Sequence, residues 1–182
     1  MDGGGQARIQ RERRFLLPSL PRALAHGVAA MIEERYIAGT GLTLRRTLTP
    51  GGRSAGFGPP LTLSQRVRAG SQRSERIVLT DRLTADQYAA LARLPAQVLV
   101  WRRYLVELTG HQCGLDVFSG ELKGLVLAEA TFLAAEQSRA FPRPTYAVAE
   151  VTGDDRFSAW ALVHTSAGQL AILVAEYGML LR

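Results

Sequence analysis

The chain is poor in cysteine, in lysine and in long apolar runs, and each shortage excludes a class of protein. Cys113 is the only cysteine among 182 residues, so neither an internal disulfide nor a multi-cysteine zinc site can form. Apolar runs are only a few residues long, and the first residues, Met-Asp-Gly-Gly-Gly, contain no hydrophobic signal region. We therefore expect neither a membrane span nor secretion, and we expect a cytosolic location.

The charge of the chain is positive and is carried almost entirely by arginine. The formal net charge is +6 and the pI is near 10.2, which predicts an anionic partner: nucleic acid, phosphate or an acidic surface. Lys123 is the only lysine among 22 basic residues. An arginine side chain presents a planar, permanently charged fork that suits phosphate oxygens. The basic residues are dispersed and not clustered in a run, which argues against nucleic acid.

Alternation of polar and apolar residues predicts strands over most of the chain. In segment 61–68 apolar residues alternate with polar and basic ones, so one strand face is apolar and the other cationic. The same alternation marks segments 42–48, 98–106 and 125–132, and at least six such strands can be read. A glycine- and proline-rich stretch, 51–60, is predicted to be a long hairpin connection.

Helical periodicity is confined to four shorter segments, 20–35, 84–94, 157–164 and 171–181. In the second of these, Thr84 is placed to cap the helix and Gln87 follows three residues later. The length fits one domain across residues 1–182. Many strands and few helices predict an α+β fold whose curved antiparallel sheet is closed, or nearly closed, into a barrel.

The first predicted strand, 9–17, carries charges of both signs on one face. Residues two apart share a strand face, so Gln10, Glu12 and Arg14 are expected to point the same way. A carboxylate and a guanidinium would then lie side by side.

This opening resembles that of the CYTH, or triphosphate tunnel, proteins, whose first strand reads Glu-x-Glu-x-Lys followed by Phe-Leu. The resemblance continues in order along the chain and spans roughly residues 9–170. Its most specific part is Gly114-Leu-Asp-Val-Phe-Ser-Gly-Glu-Leu-Lys-Gly-Leu-Val-Leu-Ala-Glu129, which is similar to the family's Asp-x-Phe-x-Gly-x-Leu-x-Gly-Leu-x-x-Ala-Glu hairpin. Shorter similar stretches are Leu42-Thr-Leu-Arg-Arg46, Thr62-Leu-Ser-Gln-Arg66, Arg76-Ile77, residues 96–104 and Glu150-Val-Thr-Gly-Asp154.

The resemblance implies an eight-stranded tunnel with helices packed outside, which grips a triphosphate with basic side chains and holds one or two divalent metals on glutamates. Carried over position by position, the catalytic residues would be Glu12 and Glu129, and the metal ligands Glu12, Glu129 and Glu150. The phosphate-binding residues would be Arg14, Arg45, Arg66, Arg76 and Arg103. Oxygen ligands of this kind suit Mg²⁺ or Mn²⁺. The implied activity is metal-assisted hydrolysis of inorganic triphosphate or a nucleoside triphosphate, and a homodimer is possible.

The chain also departs from the family pattern, and the departures keep other functions open. Gln10 and Thr131 stand where the family has carboxylates, while Thr43, Thr62 and Trp101 replace basic residues. Each lost carboxylate should weaken metal binding, and each lost cation should weaken phosphate binding. A protein that binds polyphosphate or a nucleotide without hydrolysing it is therefore an alternative. Adenylyl cyclase activity, known for some relatives, is another.

Overall fold

The computed structural model describes residues 8–24, 28–52, 56–68 and 75–181. Within these ranges the chain forms nine β-strands and four α-helices. The strands are β1 (Arg8–Leu17), β2 (Ala29–Ile37), β3 (Leu42–Leu48), β4 (Leu61–Arg68), β5 (Glu75–Arg82), β6 (Ala96–Leu108), β7 (His111–Phe118), β8 (Val126–Phe132) and β9 (Ala149–Glu150). The helices are α1 (Ala85–Leu91), α2 (Ala135–Ala140), α3 (Ala159–Leu162) and α4 (Ala167–Ala175).

Eight of the strands form a closed antiparallel barrel. Their order is β5-β4-β3-β2-β6-β7-β8-β1, and pairing of β1 with β5, with Gln10 opposite Arg76, closes the ring. The short β9 pairs with the other end of β1 and lies outside the ring. Closure leaves no free edge among these eight strands and creates an enclosed interior. The predicted α+β fold with a closed eight-stranded barrel is confirmed.

Much of the inner face of the barrel wall is polar, whereas the interior of a small protein is usually apolar. On β4, Thr62 and Ser64 are buried and line the interior, whereas Leu61 and Leu63 pack outward. These two leucines belong to an apolar cluster that includes Tyr88 of α1. The period-2 alternation of the sequence therefore separates a polar interior from an apolar outer surface that the helices cover.

Two larger apolar clusters fix the barrel. One lies on the outside, where Phe15 and Phe132 pack against Phe141, next to α2. The other joins inward-facing strand residues such as Leu16 and Trp101 to α3 and α4. The two helices contribute Leu162, Leu170, Leu173 and Val174, and Phe157 joins them from the 3-10 turn that precedes α3. As a result α3 and α4 cover one end of the barrel.

Of the four predicted helices, one agrees with the structure, one is wrong and two differ in their bounds. Helix α1 lies where expected, and Thr84 and Gln87 form a capping box at its start. The helix expected over 20–35 is wrong: a 3-10 turn at Arg22–Leu24 is followed, after residues 25–27 outside the description, by strand β2. The other two predictions are displaced: the segment 157–164 contains only the single turn α3, and α4 begins after the Ser166 cap, earlier than predicted.

No helix within the described ranges is both long enough and apolar enough to span a lipid bilayer.

The position of the Arg103 side chain on β6 requires a glycine at position 114 on the neighbouring strand β7. Gly114 sits beneath the side chain of Arg103, and a Cβ atom added there would lie 2.8 Å from Arg103 Nε. We therefore predict that Gly114→Ala displaces the Arg103 side chain and lowers the free energy of unfolding by about 1–3 kcal/mol. Thermal and urea unfolding would measure this.

The control is Gly168→Ala in α4, where an added Cβ meets no atom within 4 Å. Alanine there should leave stability unchanged or raise it, because it favours a helix more than glycine does. Equal stability of Gly114→Ala and the native chain would contradict the assigned packing.

Candidate functional site

Two cavities lie inside the barrel on either side of a set of charged residues. The larger has a volume of about 500 Å³ and extends to α3, and the smaller has about 210 Å³ and extends to residues 57–59 of the β3–β4 connection. Both are lined by the same five charged side chains, namely Glu12, Arg45, Arg66, Arg103 and Glu129. The charged residues therefore occupy the middle of the interior.

Four arginines and four carboxylates of the described side chains form this central group, which we call the charged ring. Its members are Glu12 and Arg14 on β1, Glu34 on β2, Arg45 on β3, Arg66 on β4, Arg103 on β6, Asp116 on β7 and Glu129 on β8. Strand alternation turns each side chain inward, and barrel closure brings together residues up to 117 positions apart in the sequence, as for Glu12 and Glu129. The ring has no formal net charge.

Arg103 is the most heavily paired arginine of the ring. Its Nε and Nη2 atoms each donate to a different oxygen of Asp116 at 2.6 Å, a bidentate arrangement. Nη2 also lies 3.2 Å from Glu129 Oε1. Burial disfavours the charged form of Arg103, but the two carboxylates outweigh this effect and raise its pKa.

Glu12, Arg14 and Glu129 form the adjoining part of the ring. Arg14 Nη2 lies 3.0 Å from Glu12 Oε2 and 3.8 Å from Glu129 Oε2, so one guanidinium serves both carboxylates. Burial alone would raise the pKa of Glu129, yet the charges of Arg103 and Arg14 lower it to about 2. Glu129 is therefore ionised at neutral pH.

Glu34 is a member of the ring that the sequence did not reveal. Its side chain is 1% exposed, and its Oε1 atom accepts a hydrogen bond from Arg45 Nε at 2.9 Å and lies 2.6 Å from Arg45 Nη2. Arg66 Nη2 lies 3.4 Å from the same oxygen, and the Tyr36 hydroxyl donates to the other one. Burial would raise the pKa of Glu34, but Arg45 and Arg66 lower it to about 2. Its inward position could have been found only by treating 29–37 as a strand.

The structure brings six of the eight predicted site residues together. These are Glu12, Arg14, Arg45, Arg66, Arg103 and Glu129, all of them in the charged ring. The side chain of Arg76 lies outside the described residues, although its backbone pairs with Gln10 at the closing seam.

Glu150 is not part of the ring, so its predicted place beside Glu12 and Glu129 is wrong. It sits on β9 and pairs with Arg13, whose Nε and Nη2 donate to its two oxygens at 2.9 and 2.6 Å. Arg13 alternates with Glu12 and Arg14 along β1 and therefore points to the outer face of the barrel. Neither cavity is lined by Glu150.

Three of the residues that depart from the family pattern line the smaller cavity, namely Gln10, Thr62 and Thr131. Gln10 and Thr131 both line it, next to Glu12 and Glu129 respectively along their strands. The inner wall thus has neutral oxygen-bearing groups at two positions where the resemblance implied carboxylates.

The carboxylates of the ring meet only part of what a divalent cation requires. Among the described residues no group of three histidine, cysteine or acidic side chains is arranged to hold a metal ion. Glu12 and Glu129 nevertheless approach the same guanidinium and offer hard oxygen donors. Mg²⁺ is commonly held by one or two carboxylates together with substrate phosphates and water. The pair therefore fits a cation that arrives with phosphate, and not one held by the protein alone.

The lowered pKa values of Glu34 and Glu129 predict a specific loss of stability in acid. Their ordinary value is 4.5 and their value in the fold is about 2, so the unfolded chain takes up protons first as the pH falls. The stabilisation is complete above about pH 4.5 and is lost towards pH 2, and for Glu34 it amounts to roughly 3 kcal/mol. Urea unfolding at a series of pH values would measure it.

Glu34→Gln should make the fall in stability between pH 5 and 2 shallower by about that amount. Glu136→Gln on the exposed surface of α2 should leave the fall as it is in the native chain. An unchanged acid dependence in Glu34→Gln would contradict the lowered pKa.

Comparison with known proteins reveals similarity in structure only. No protein-family model and no curated protein matches the chain. The crystal structure of the inorganic triphosphatase NE1496 aligns with a TM-score of 0.55 at 24% identity, covering 86% of this chain and 95% of that one. A crystal structure of the hypothetical protein NE1496 aligns with the same TM-score and identity, covering 86% and 99%. The chain therefore shares its fold with these two structures.

Proposed function

We propose that the protein is a divergent member of the CYTH family and a metal-dependent phosphohydrolase that acts on triphosphate. The observation that carries the proposal is the charged ring, in which four arginines and four carboxylates meet inside a closed barrel. A purely structural interior of this size would be filled with apolar side chains, because buried charges cost free energy even when paired. The similarity in fold to a protein named inorganic triphosphatase supports the same function.

The arginines would bind the phosphate groups. Arg45, Arg66 and Arg103 line both cavities, so a chain of phosphates lying across the ring would meet a guanidinium on several sides. Guanidinium groups bind phosphate oxygens in pairs and stay charged at any physiological pH. In a site shielded from bulk water, such fixed charges also stabilise the negative charge that develops on a phosphoryl group in transfer.

The carboxylates would serve the reacting end of the chain. Glu12 and Glu129 would hold Mg²⁺ or Mn²⁺, which when bound polarises the terminal phosphoryl group. Glu129, ionised at neutral pH, is also suited to accept a hydrogen bond from the attacking water and so orient it. Asp116 fixes Arg103 through its two short hydrogen bonds and thereby keeps that guanidinium in place for the phosphate.

The larger cavity gives room for more than inorganic triphosphate. Beyond the charged ring its wall is apolar and aromatic, with Trp101 stacked on Phe118 at a centroid distance of 5.9 Å, and Trp160 further out. An organic group attached to the phosphate chain would find apolar surface there. Both inorganic and nucleoside triphosphates are therefore proposed substrates.

A second candidate function is binding of polyphosphate or a nucleotide without hydrolysis. It is favoured by Gln10 and Thr131, which leave the smaller cavity with fewer carboxylates to hold a cation. It is also favoured because the remaining carboxylates already pair with arginines and are therefore less available to a cation. Binding of tripolyphosphate with no release of phosphate in Mg²⁺ or Mn²⁺ would decide in favour of this function.

The proposed hydrolysis predicts different results for Glu129 and Glu150, which the sequence alone would both assign to the metal site. With tripolyphosphate and Mg²⁺ or Mn²⁺, Glu129→Gln should lower the rate of phosphate release by about 100-fold or more, since it removes a charge from the proposed cation site. Release of phosphate over time measures it.

Glu150→Gln is the matched control, because Glu150 pairs with Arg13 on the outer face of the barrel. It should release phosphate at the native rate. If the native chain released phosphate no faster than Glu129→Gln with either metal, the hydrolase proposal would have to be abandoned.

A further inference from the structure

The most unusual feature of the interior is a carboxylate that faces the proposed phosphate-binding arginines. Glu34 Oε1 lies 2.6 Å from Arg45 Nη2 and 3.4 Å from Arg66 Nη2. These two arginines line both cavities, whereas Glu34 lines only the larger. The position at which two guanidinium groups converge is thus occupied by an anion of the protein itself.

The two sides of this contact differ in freedom to move. Glu34 is 1% exposed, and the buried Tyr36 hydroxyl holds its second oxygen. The Arg45 and Arg66 side chains are 23% and 33% exposed, and each reaches the carboxylate at the end of a long flexible stem. A ligand would therefore leave Glu34 in place and draw the arginines away from it.

Such a rearrangement makes the binding of an anion a competition. Free tripolyphosphate brings several negative charges towards a fixed carboxylate, and it gains the two arginines only by breaking contacts that already exist. A polyphosphate that carries a divalent cation is less negative and is repelled less. The charge on Glu34 therefore opposes the free anion more than its metal complex.

We propose that Glu34 is a specificity-determining residue that occupies Arg45 and Arg66 as an internal anion, weakens the binding of free polyphosphate and so favours its metal complex. The inference rests on the proposed binding of polyphosphate in the charged ring. It concerns a residue that neither touches the cation pair, Glu12 and Glu129, nor belongs to the phosphate-binding set.

The test is calorimetric titration with a non-hydrolysable methylene analogue of tripolyphosphate, once in EDTA and once in excess Mg²⁺, so that no turnover contributes to the heat. In EDTA, Glu34→Gln should bind at least about tenfold more tightly than the native chain, because both arginines become available and a repelling charge is gone. The ratio of the affinities in Mg²⁺ and in EDTA should fall by a similar factor. A purely structural role for Glu34 predicts the opposite, namely weaker binding once the arginines lose their anchor.

Glu33→Gln is the matched control, since Glu33 precedes Glu34 on the same strand. It contacts Arg46 and Tyr88, and neither residue lines the cavities. Its affinity should equal that of the native chain under both conditions. Glu34→Met, similar in length and without an amide beside Tyr36, serves as a second variant, and circular dichroism checks the fold of each.

The outcomes separate the two proposals. If the native chain binds the tripolyphosphate analogue in Mg²⁺ but neither Glu34 variant binds it more tightly in EDTA, the role of Glu34 is refuted and the proposed function stands. If no protein binds the analogue in either condition, both proposals fail.

Discussion

The interior of this barrel is governed by one constraint: a charge removed from water must meet an opposite charge. The described ring satisfies it by contact, with Arg103 held by Asp116, Arg14 by Glu12, and Arg45 by Glu34. Desolvation makes each charge costly alone, and removing one partner leaves the other uncompensated. The arrangement is therefore coupled, and a change at one member alters the electrostatic environment of its neighbours.

Closure of the sheet is what makes this coupling possible. The seam between β1 and β5 joins the first described strand to one that begins more than 60 residues later, and it sets the alternation of all eight strands relative to the interior. A slip of one residue at the seam would turn Glu12 and Arg14 outward and bring Arg11 and Arg13 inside. The apolar clusters under α1 and α2 oppose such a slip, because they fix the outer faces of the same strands.

Much of this architecture could be predicted from sequence, for a physical reason. Period-2 alternation is strong where a wall separates a polar interior from an apolar exterior, so β3 and β4 were predicted with their observed bounds. The helix predicted over 20–35 is wrong because the apolar residues there happen to fit helical spacing. In the structure this segment contains β2, on which every second residue, including Glu34 and Tyr36, faces the interior. The predicted metal-binding role of Glu150 is wrong because the direction of its side chain depends on how the two-residue strand β9 pairs with β1. So short a strand has no alternation of its own from which the direction could be predicted.

The two cavities that flank the ring are unequal in both size and chemistry. One side offers aromatic rings and a helix, and the other offers hydroxyl groups and a loop. A linear triphosphate has two identical ends, whereas the interior proposed to hold it has no corresponding symmetry. In the proposed binding mode the two terminal phosphorus atoms would lie in different surroundings, so the protein alone would distinguish cleavage at one end from cleavage at the other.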